Sequence, residues 1–245
     1  MQAVEGKMSK RLDLQNLVAI LFDKDGTLVD FDRTWEPINR QAARMAAKGD
    51  AALELTLLDG CGTDPETGRT RPDSMFASAN AVEIARRMVD LGSAIPQAEL
   101  TLLLDALFRQ GAGSAVPIGD IEGLFGELGA YGYRLGIASS DNEESVRTTM
   151  RKFGIEGVVD YVAGYDSGHG VKPEAGMVLA FARQAQCGVA QVLMVGDNRH
   201  DIAMGRAAGA ITVGVLTGTG TRETLEPLAD LCLASVHDLR QILKR

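Results

Sequence analysis

Asp23 and Asp25 flank a lysine in LFDKDGT, residues 21–27. Two carboxylates that close repel each other by about 1–4 kcal/mol at effective dielectrics of 80 to 20, so the pair asks for a compensating charge. Such a pair can supply a nucleophile together with an acid–base group. A second acidic pair lies in VLMVGDNRHD, where Asp197 and Asp201 are four residues apart. That spacing is one helical turn and lets the later carboxylate face the strand end. Between the pairs, SSD offers Ser139 and Ser140, with hydroxyl and backbone N–H donors suited to phosphate oxygens, and GVKPE offers Lys172. Each motif has a plainer use: an Asp-Gly turn, a helix cap by Asp197 or Asn198, capping serines, a solvated lysine. An EF-hand calcium loop is excluded, because the glycine of DKDGT comes too early.

These residues follow short apolar runs. LVAILF, bounded at once by a turn signal, has the character of a strand buried on both faces. Comparable runs are LGIASS, VVDYVAG, VLMVGD and ITVGVL, with LCLAS as a candidate edge strand. Helical patterns alternate with them: NEESVRTTMRKFGI, capped by Asp141 or Asn142; PEAGMVLAFARQAQCG, with Pro173 in its first turn; and HDIAMGRAAGA. Strand–helix alternation implies an α/β fold with an open parallel sheet, helices on both faces and ligands at the carboxyl ends of its strands. More than a hundred residues separate LFDKDGT from LGIASS, whereas a crossover needs only about 12. The interval is mostly helical in pattern, in WEPINRQAARMAAKG, NAVEIARRMVDLG, PQAELTLLLDALFRQG and IEGLFGELGAYG, with the loop-like DGCGTDPETGRTRPD between two of them, and residues 31–117 are expected to form an insert over the sheet's active end. Lys24 is expected to point away from Asp23 and Asp25, since neighbouring side chains diverge on an extended segment.

The 245 residues suit one large domain, or a core with an insert, and the 45% apolar content suffices for a sizeable core. A net charge of -8 disfavours nucleic acid or an anionic membrane as main partner, and the clusters Lys10-Arg11 and Arg86-Arg87 are expected to be solvated. Cys61, Cys187 and Cys232 are scattered without CxxC spacing, which argues for reduced thiols in a cytoplasm. No early apolar run is long enough for a signal peptide or membrane span, and residues 1–12 have the character of a loose polar leader.

In their order, DKDGT, SSD, KPE and GDNRHD resemble the motifs of the haloacid dehalogenase-like hydrolase superfamily, and specifically its phosphoglycolate phosphatase-like branch. The resemblance spans residues 17 to about 216. It implies a Rossmann-like three-layer α/β/α core (1–30 and 118–245) with a helical cap (31–117) inserted after the first motif. It implies Asp23 as nucleophile, forming an aspartyl-phosphate, and Asp25 as the group that protonates the leaving alkoxide and then deprotonates water. The repulsion noted above would be offset by Mg²⁺, held by Asp23, Asp197 and the main-chain carbonyl of Asp25, with Asp201 either ligating or holding a coordinated water. Lys172 would steady the nucleophile and the phosphoryl oxygens, while Ser139 and N–H groups near Ser140 and Gly26 would bind those oxygens.

Several rivals remain. Dehalogenases of the superfamily lack the second acidic residue, which Asp25 supplies. A Schiff-base phosphonate hydrolase would need an insert lysine, and Lys48 is the one available. A sugar-phosphate mutase shares all four motifs. In a different class, a phospho-accepting regulatory domain combines the same residue types but is much shorter. The expected reaction is hydrolysis of a small phosphomonoester, with phosphoglycolate as first candidate by resemblance. Arg69, Arg71 and His169 are candidate substrate contacts, though solvated loop side chains are the favoured reading for the two arginines.

Overall fold

The computed structural model describes residues 14–243. The expected polar leader and Lys10-Arg11 lie outside the described residues. Arg86 and Arg87 are solvent-exposed, as expected.

The apolar runs form six parallel strands: β1 (Ala19–Phe22), β2 (Arg134–Ala138), β3 (Tyr161–Ala163), β4 (Val192–Gly196), β5 (Ile211–Val215) and β6 (Leu231–Leu233). Their order in the sheet is β3-β2-β1-β4-β5-β6. The chain winds outward from β1 in one direction and then, from β4, in the other. The reversal between β1 and β4 leaves a crevice beyond their carboxyl ends.

Strand β1 shows why the sheet is central. Ile20 and Phe22 join one apolar cluster and Ala19 and Leu21 another, as a period of two with both faces covered requires. Phe22 packs on Phe125 with ring centroids 4.8 Å apart. The first face is covered by α6 (Ile121–Ala130), α7 (Glu143–Lys152) and α11 (Leu239–Ile242), the second by α8 (Gly176–Gln184) and α9 (Arg199–Ala208). A short α10 (Arg222–Leu225) precedes β6. The result is the three-layer α/β/α arrangement that the strand–helix alternation implies.

Helices α1 (Phe31–Ala47), α2 (Ala51–Gly60), α3 (Met75–Ser78), α4 (Ala81–Asp90) and α5 (Gln97–Ala112) lie between β1 and β2. They gather round an apolar cluster of their own, which includes Trp35, Leu57, Met88, Leu100 and Phe108. Helix α4 starts on a reciprocal cap: the Asn80 side chain accepts from Glu83 N and the Glu83 carboxylate accepts from Asn80 N. Helix α1 ends on Lys48 in the left-handed region, at φ 51°.

Two local expectations change. AALELTLLDG forms helix α2, although its leucines follow no helical stripe; Asp50 starts it by accepting from Ala52 N and Leu53 N. Pro173 is not in the first turn of α8. The segment before Gly176 is a turn, closed by Glu174 N donating to Val171 O at 2.7 Å, and the Lys172–Pro173 peptide is cis.

Candidate active site

The chain leaves β1 directly into Asp23, whose backbone N–H donates to Val195 O of β4 at 2.8 Å. One more residue of sheet pairing thus fixes Asp23 over the crevice. Asp197 follows β4 by one residue, and Asp201 sits in the first turn of α9. The carboxylates of Asp23, Asp197 and Asp201 come together with one oxygen of each within 4.8 Å of the others, all buried. Asp201 also serves as the capping residue that its sequence position allows: its Oδ2 accepts from Asn198 N at 3.0 Å, and Asn198 is the α9 N-cap. Of the two residues expected as caps, Asn198 takes the role, its side chain accepting from His200 N at 3.0 Å.

Lys172 is the cation among them. Its Nζ lies 2.5 Å from Asp23 Oδ1 and 2.6 Å from Asp201 Oδ1, and the residue is 8% exposed. Burial works against its charge, but the two carboxylates outweigh that and hold its pKa above the ordinary lysine value. A single ammonium cannot neutralise three acids. Burial, then Asp201, raises the pKa of Asp23 from 3.8 to about 7 against the pull of Lys172. Burial, then Asp23 and Asp201, pushes Asp197 well above the ordinary carboxylate range. An ionised Asp23 at neutral pH therefore calls for a further positive charge in the site.

Space has been kept for such a charge. Gly26, at φ +84°, lies so close to Asp197 that a Cβ would fall 2.5 Å from its Cγ, and a Cβ on Gly218 would fall 2.0 Å from its Oδ2. That oxygen accepts from Thr219 N at 2.8 Å, which fixes the carboxylate's orientation. Three hard oxygen donors in a tight cradle, short of positive charge, fit a small divalent cation. The Gly26 N–H, expected near phosphoryl oxygens, is used otherwise: it donates to Val29 O at 2.8 Å and closes the turn after β1. What the site takes from Gly26 is its missing Cβ. Ser139 is buried and its Oγ accepts from Asp141 N at 3.1 Å, which leaves the hydroxyl proton to be donated elsewhere; Ser140 is half-buried.

Lys24 departs from expectation. It does not point away: its ammonium is buried, 2.7 Å from Asp25 Oδ2 and 3.3 Å from Asp141 Oδ2. The turn closed by Leu28 N and Val29 N onto Lys24 O curls the segment, so the divergence of side chains along an extended strand does not apply. Trp35, from α1, donates its indole N–H to Asp25 Oδ1 at 2.7 Å. Neither contact is legible in the sequence, because Lys24, Asp141 and Trp35 meet only through the fold. Thr219 and Gly218 reach the site in the same way, and the alternating glycines of TGTGT, one residue beyond β5, are their signal in the sequence.

Above the carboxylates lies a cleft with about 600 Å³ of empty space, partly open to solvent. Its lower wall includes Asp23, Asp25, Ser139, Ser140, Lys172 and Asp197. Its upper wall comes from the helices after β1 and includes the aromatic side chains of Phe31, Trp35, Phe76 and Phe108. Arg69 and Arg71 line a different cleft, between residues 64–72 and the 217–219 loop, and Arg71 pairs with Asp59 at 2.9 Å. His169 packs near the Tyr161 ring, with centroids 6.0 Å apart, and Lys48 is exposed at a helix end.

Known proteins share this fold and parts of this sequence. The chain is 29% identical over 228 residues to a phosphoglycolate phosphatase of Rhodospirillum rubrum, covering 90% of this chain and 86% of that protein. It is 33% identical over 119 residues to the pyrophosphatase PpaX of Bacillus velezensis, where the match covers 47% of this chain and only about half, 54%, of the relative. A solved structure from Haemophilus somnus, described as a predicted phosphoglycolate phosphatase, superposes with a TM-score of 0.72 at 19% identity, over 94% of this chain and 99% of that one. CbbY from Rhodobacter sphaeroides, solved in complex with phosphate, superposes with a TM-score of 0.65 at 19% identity, over 91% and 96%. The pattern of the haloacid dehalogenase-like hydrolases matches residues 17–209, and the chain belongs to that family.

Proposed function

We propose that the protein is a Mg²⁺-dependent phosphatase that hydrolyses a small phosphomonoester through an aspartyl-phosphate on Asp23, with 2-phosphoglycolate as first candidate. The observation that carries this reading is the convergence of Asp23, Asp197 and Asp201 round Lys172 at the floor of a cleft. The choice of phosphoglycolate rests on the names of relatives matched over most of their length.

In this reading an oxygen of Asp23 bonds to phosphorus while the bond from phosphorus to the ester oxygen breaks. The electron pair leaves with the ester oxygen, which takes a proton from Asp25. Water then attacks phosphorus, its proton goes to Asp25, and the carboxylate of Asp23 departs. Lys172 holds Asp23 in place and offsets charge on the phosphoryl oxygens, and Ser139 donates its hydroxyl to them. Asp23, Asp197 and the Asp25 carbonyl would hold Mg²⁺; when bound, the ion offsets the crowded negative charge of carboxylates and phosphoryl group. Both Asp201 oxygens already have partners, Lys172 and Asn198 N, which favours Asp201 acting through a coordinated water. Residues 31–117 would act as the cap that closes over the leaving group. We place the reaction in a cytoplasm, since the three cysteines are unpaired and no described helix is long and apolar enough to cross a membrane.

The test is phosphate release with Mg²⁺ from 2-phosphoglycolate, several sugar phosphates and a simple alkyl phosphate. Release from at least one, abolished by chelation, is expected. Interconversion of a sugar phosphate without phosphate release would indicate a mutase. A phosphorylated protein that persists for minutes without turnover would indicate a phospho-acceptor.

A further inference from the structure

Lys24 is a charge at the site to which the phosphatase reading gives no task. At 1% exposure it is closed off from solvent and substrate. Its ammonium spans the Asp25 carboxylate, 2.8 Å from Oδ1 and 2.7 Å from Oδ2. Trp35 Nε1 donates to the same Oδ1 at 2.7 Å. The ammonium is itself anchored, with Asp141 Oδ2 at 3.3 Å and the Trp35 ring centroid at 5.0 Å. Asp141 is fixed in turn by Asn142 N, which donates to its Oδ1 at 2.9 Å. Three segments, the turn after β1, helix α1 and the SSD turn after β2, thus meet at one ammonium.

The terminal torsion of an aspartate is broad and roughly two-fold, so an unheld Asp25 would spread over many orientations. A misplacement of about 1 Å in a reacting constellation can cost on the order of 100-fold in rate. Stability alone does not call for a lysine here, because well-packed apolar groups often replace a buried ion pair without loss.

We propose that Lys24 is a positioning residue that, with Trp35, holds the Asp25 carboxyl group in line with the departing ester oxygen and the attacking water. This rests on the reading of Asp25 as the acid–base group of the phosphatase. Lys24 transfers no proton itself; it restricts where the Asp25 oxygens are when the proton moves.

Two esters separate positioning from general structural support. Ethyl phosphate loses an alkoxide that must be protonated. p-Nitrophenyl phosphate loses a phenolate that departs unaided, so its first turnover does not use Asp25, whereas release of the phosphoryl group to water does. With Mg²⁺, Lys24→Met is expected to lower kcat on ethyl phosphate by about 10- to 100-fold, within the range that general acid–base catalysis supplies, with KM little changed. Its nitrophenolate burst should keep nearly the original rate and be followed by a slowed steady state. Asp141→Asn, which keeps the side-chain shape and removes one anchor of the ammonium, should lower the ratio of ethyl phosphate turnover to burst rate in the same direction but less. It decides the matter if Lys24→Met does not fold. Asp25→Asn is the reference and should show the same selectivity in full. A nitrophenolate burst slowed as much as ethyl phosphate turnover, or no loss on ethyl phosphate, in folded Lys24→Met or Asp141→Asn would overturn the role of Lys24 alone. An Asp25→Asn enzyme with an unchanged ratio would instead remove the acid–base reading on which it rests.

Discussion

Gly218 and Asp197 approach so closely that a Cβ on the glycine would fall 2.0 Å from the aspartate's Oδ2. This contact ties the loop after β5 to the acidic loop after β4. Gly218→Ala forces either the loop or the carboxylate to move, and Asp197 is the side chain proposed to hold the cation. The expected result is a rise of at least about 10-fold, roughly 1.4 kcal/mol, in the Mg²⁺ concentration that gives half-maximal activity. A magnesium titration of the purified variant checks this; an unchanged midpoint would argue against Asp197 as a ligand.

Asp23→Asn should abolish turnover and still leave a folded protein. Burial and Asp201 already favour the protonated form of Asp23, which an amide imitates. In chelator at pH 8 the variant's melting temperature should equal or exceed that of the unsubstituted protein, since one crowded carboxylate is gone. Activity above a few per cent of the original would remove Asp23 as nucleophile.

The acidic cluster predicts a pH dependence of stability. Asp23 has its pKa raised from 3.8 to about 7 in the folded state, and burial raises Asp141 to about 6 despite Lys24. Between these values and those of the unfolded chain, the native protein binds more protons, so stability declines as pH rises from about 4 to about 7. In chelator the melting temperature should fall across that interval. With excess Mg²⁺, whose charge favours the ionised carboxylates, the fall should be smaller. Melting scans at pH 5 and pH 8, with and without Mg²⁺, measure it; a magnesium stabilisation equal at both pH values would contradict the cluster's role.

Lys172→Met should be costly even without substrate. Removing one partner of a buried charged set leaves the others uncompensated, at about 3–5 kcal/mol. Denaturant unfolding in chelator should show that loss, and Mg²⁺ should recover part of it. A variant as stable as the parent would mean that Asp23 and Asp201 are satisfied without the ammonium.

Asn80→Ala tests the helices away from the chemistry. Loss of an Asn cap typically costs about 1 kcal/mol. Because Ala79 and Ala81 beside it line the cleft, substrate KM should be measured together with unfolding.

The sequence by itself determined the sheet and the order of the site. Short continuous apolar runs such as LVAILF and VLMVGD, each closed by a turn signal, suit strands covered on both faces, and Asp23 and Asp197 are placed by being the next residue in the chain. Caps with local partners were legible too, as with Asn142 at the start of α7, whose side chain accepts from Ser145 N. Helix α2 was not, because its leucines surround the helix and give no periodic stripe. Only the tertiary structure decided how the charges pair. Lys172 reaches Asp23 across 149 residues of chain, and Trp35 reaches Asp25 from a helix whose packing no local pattern records. Lys24 departs from side-chain alternation for a physical reason. An alternation rule holds for an extended strand, whereas this chain turns at Asp25–Gly26, and a buried ammonium goes wherever carboxylates from other segments compensate its desolvation.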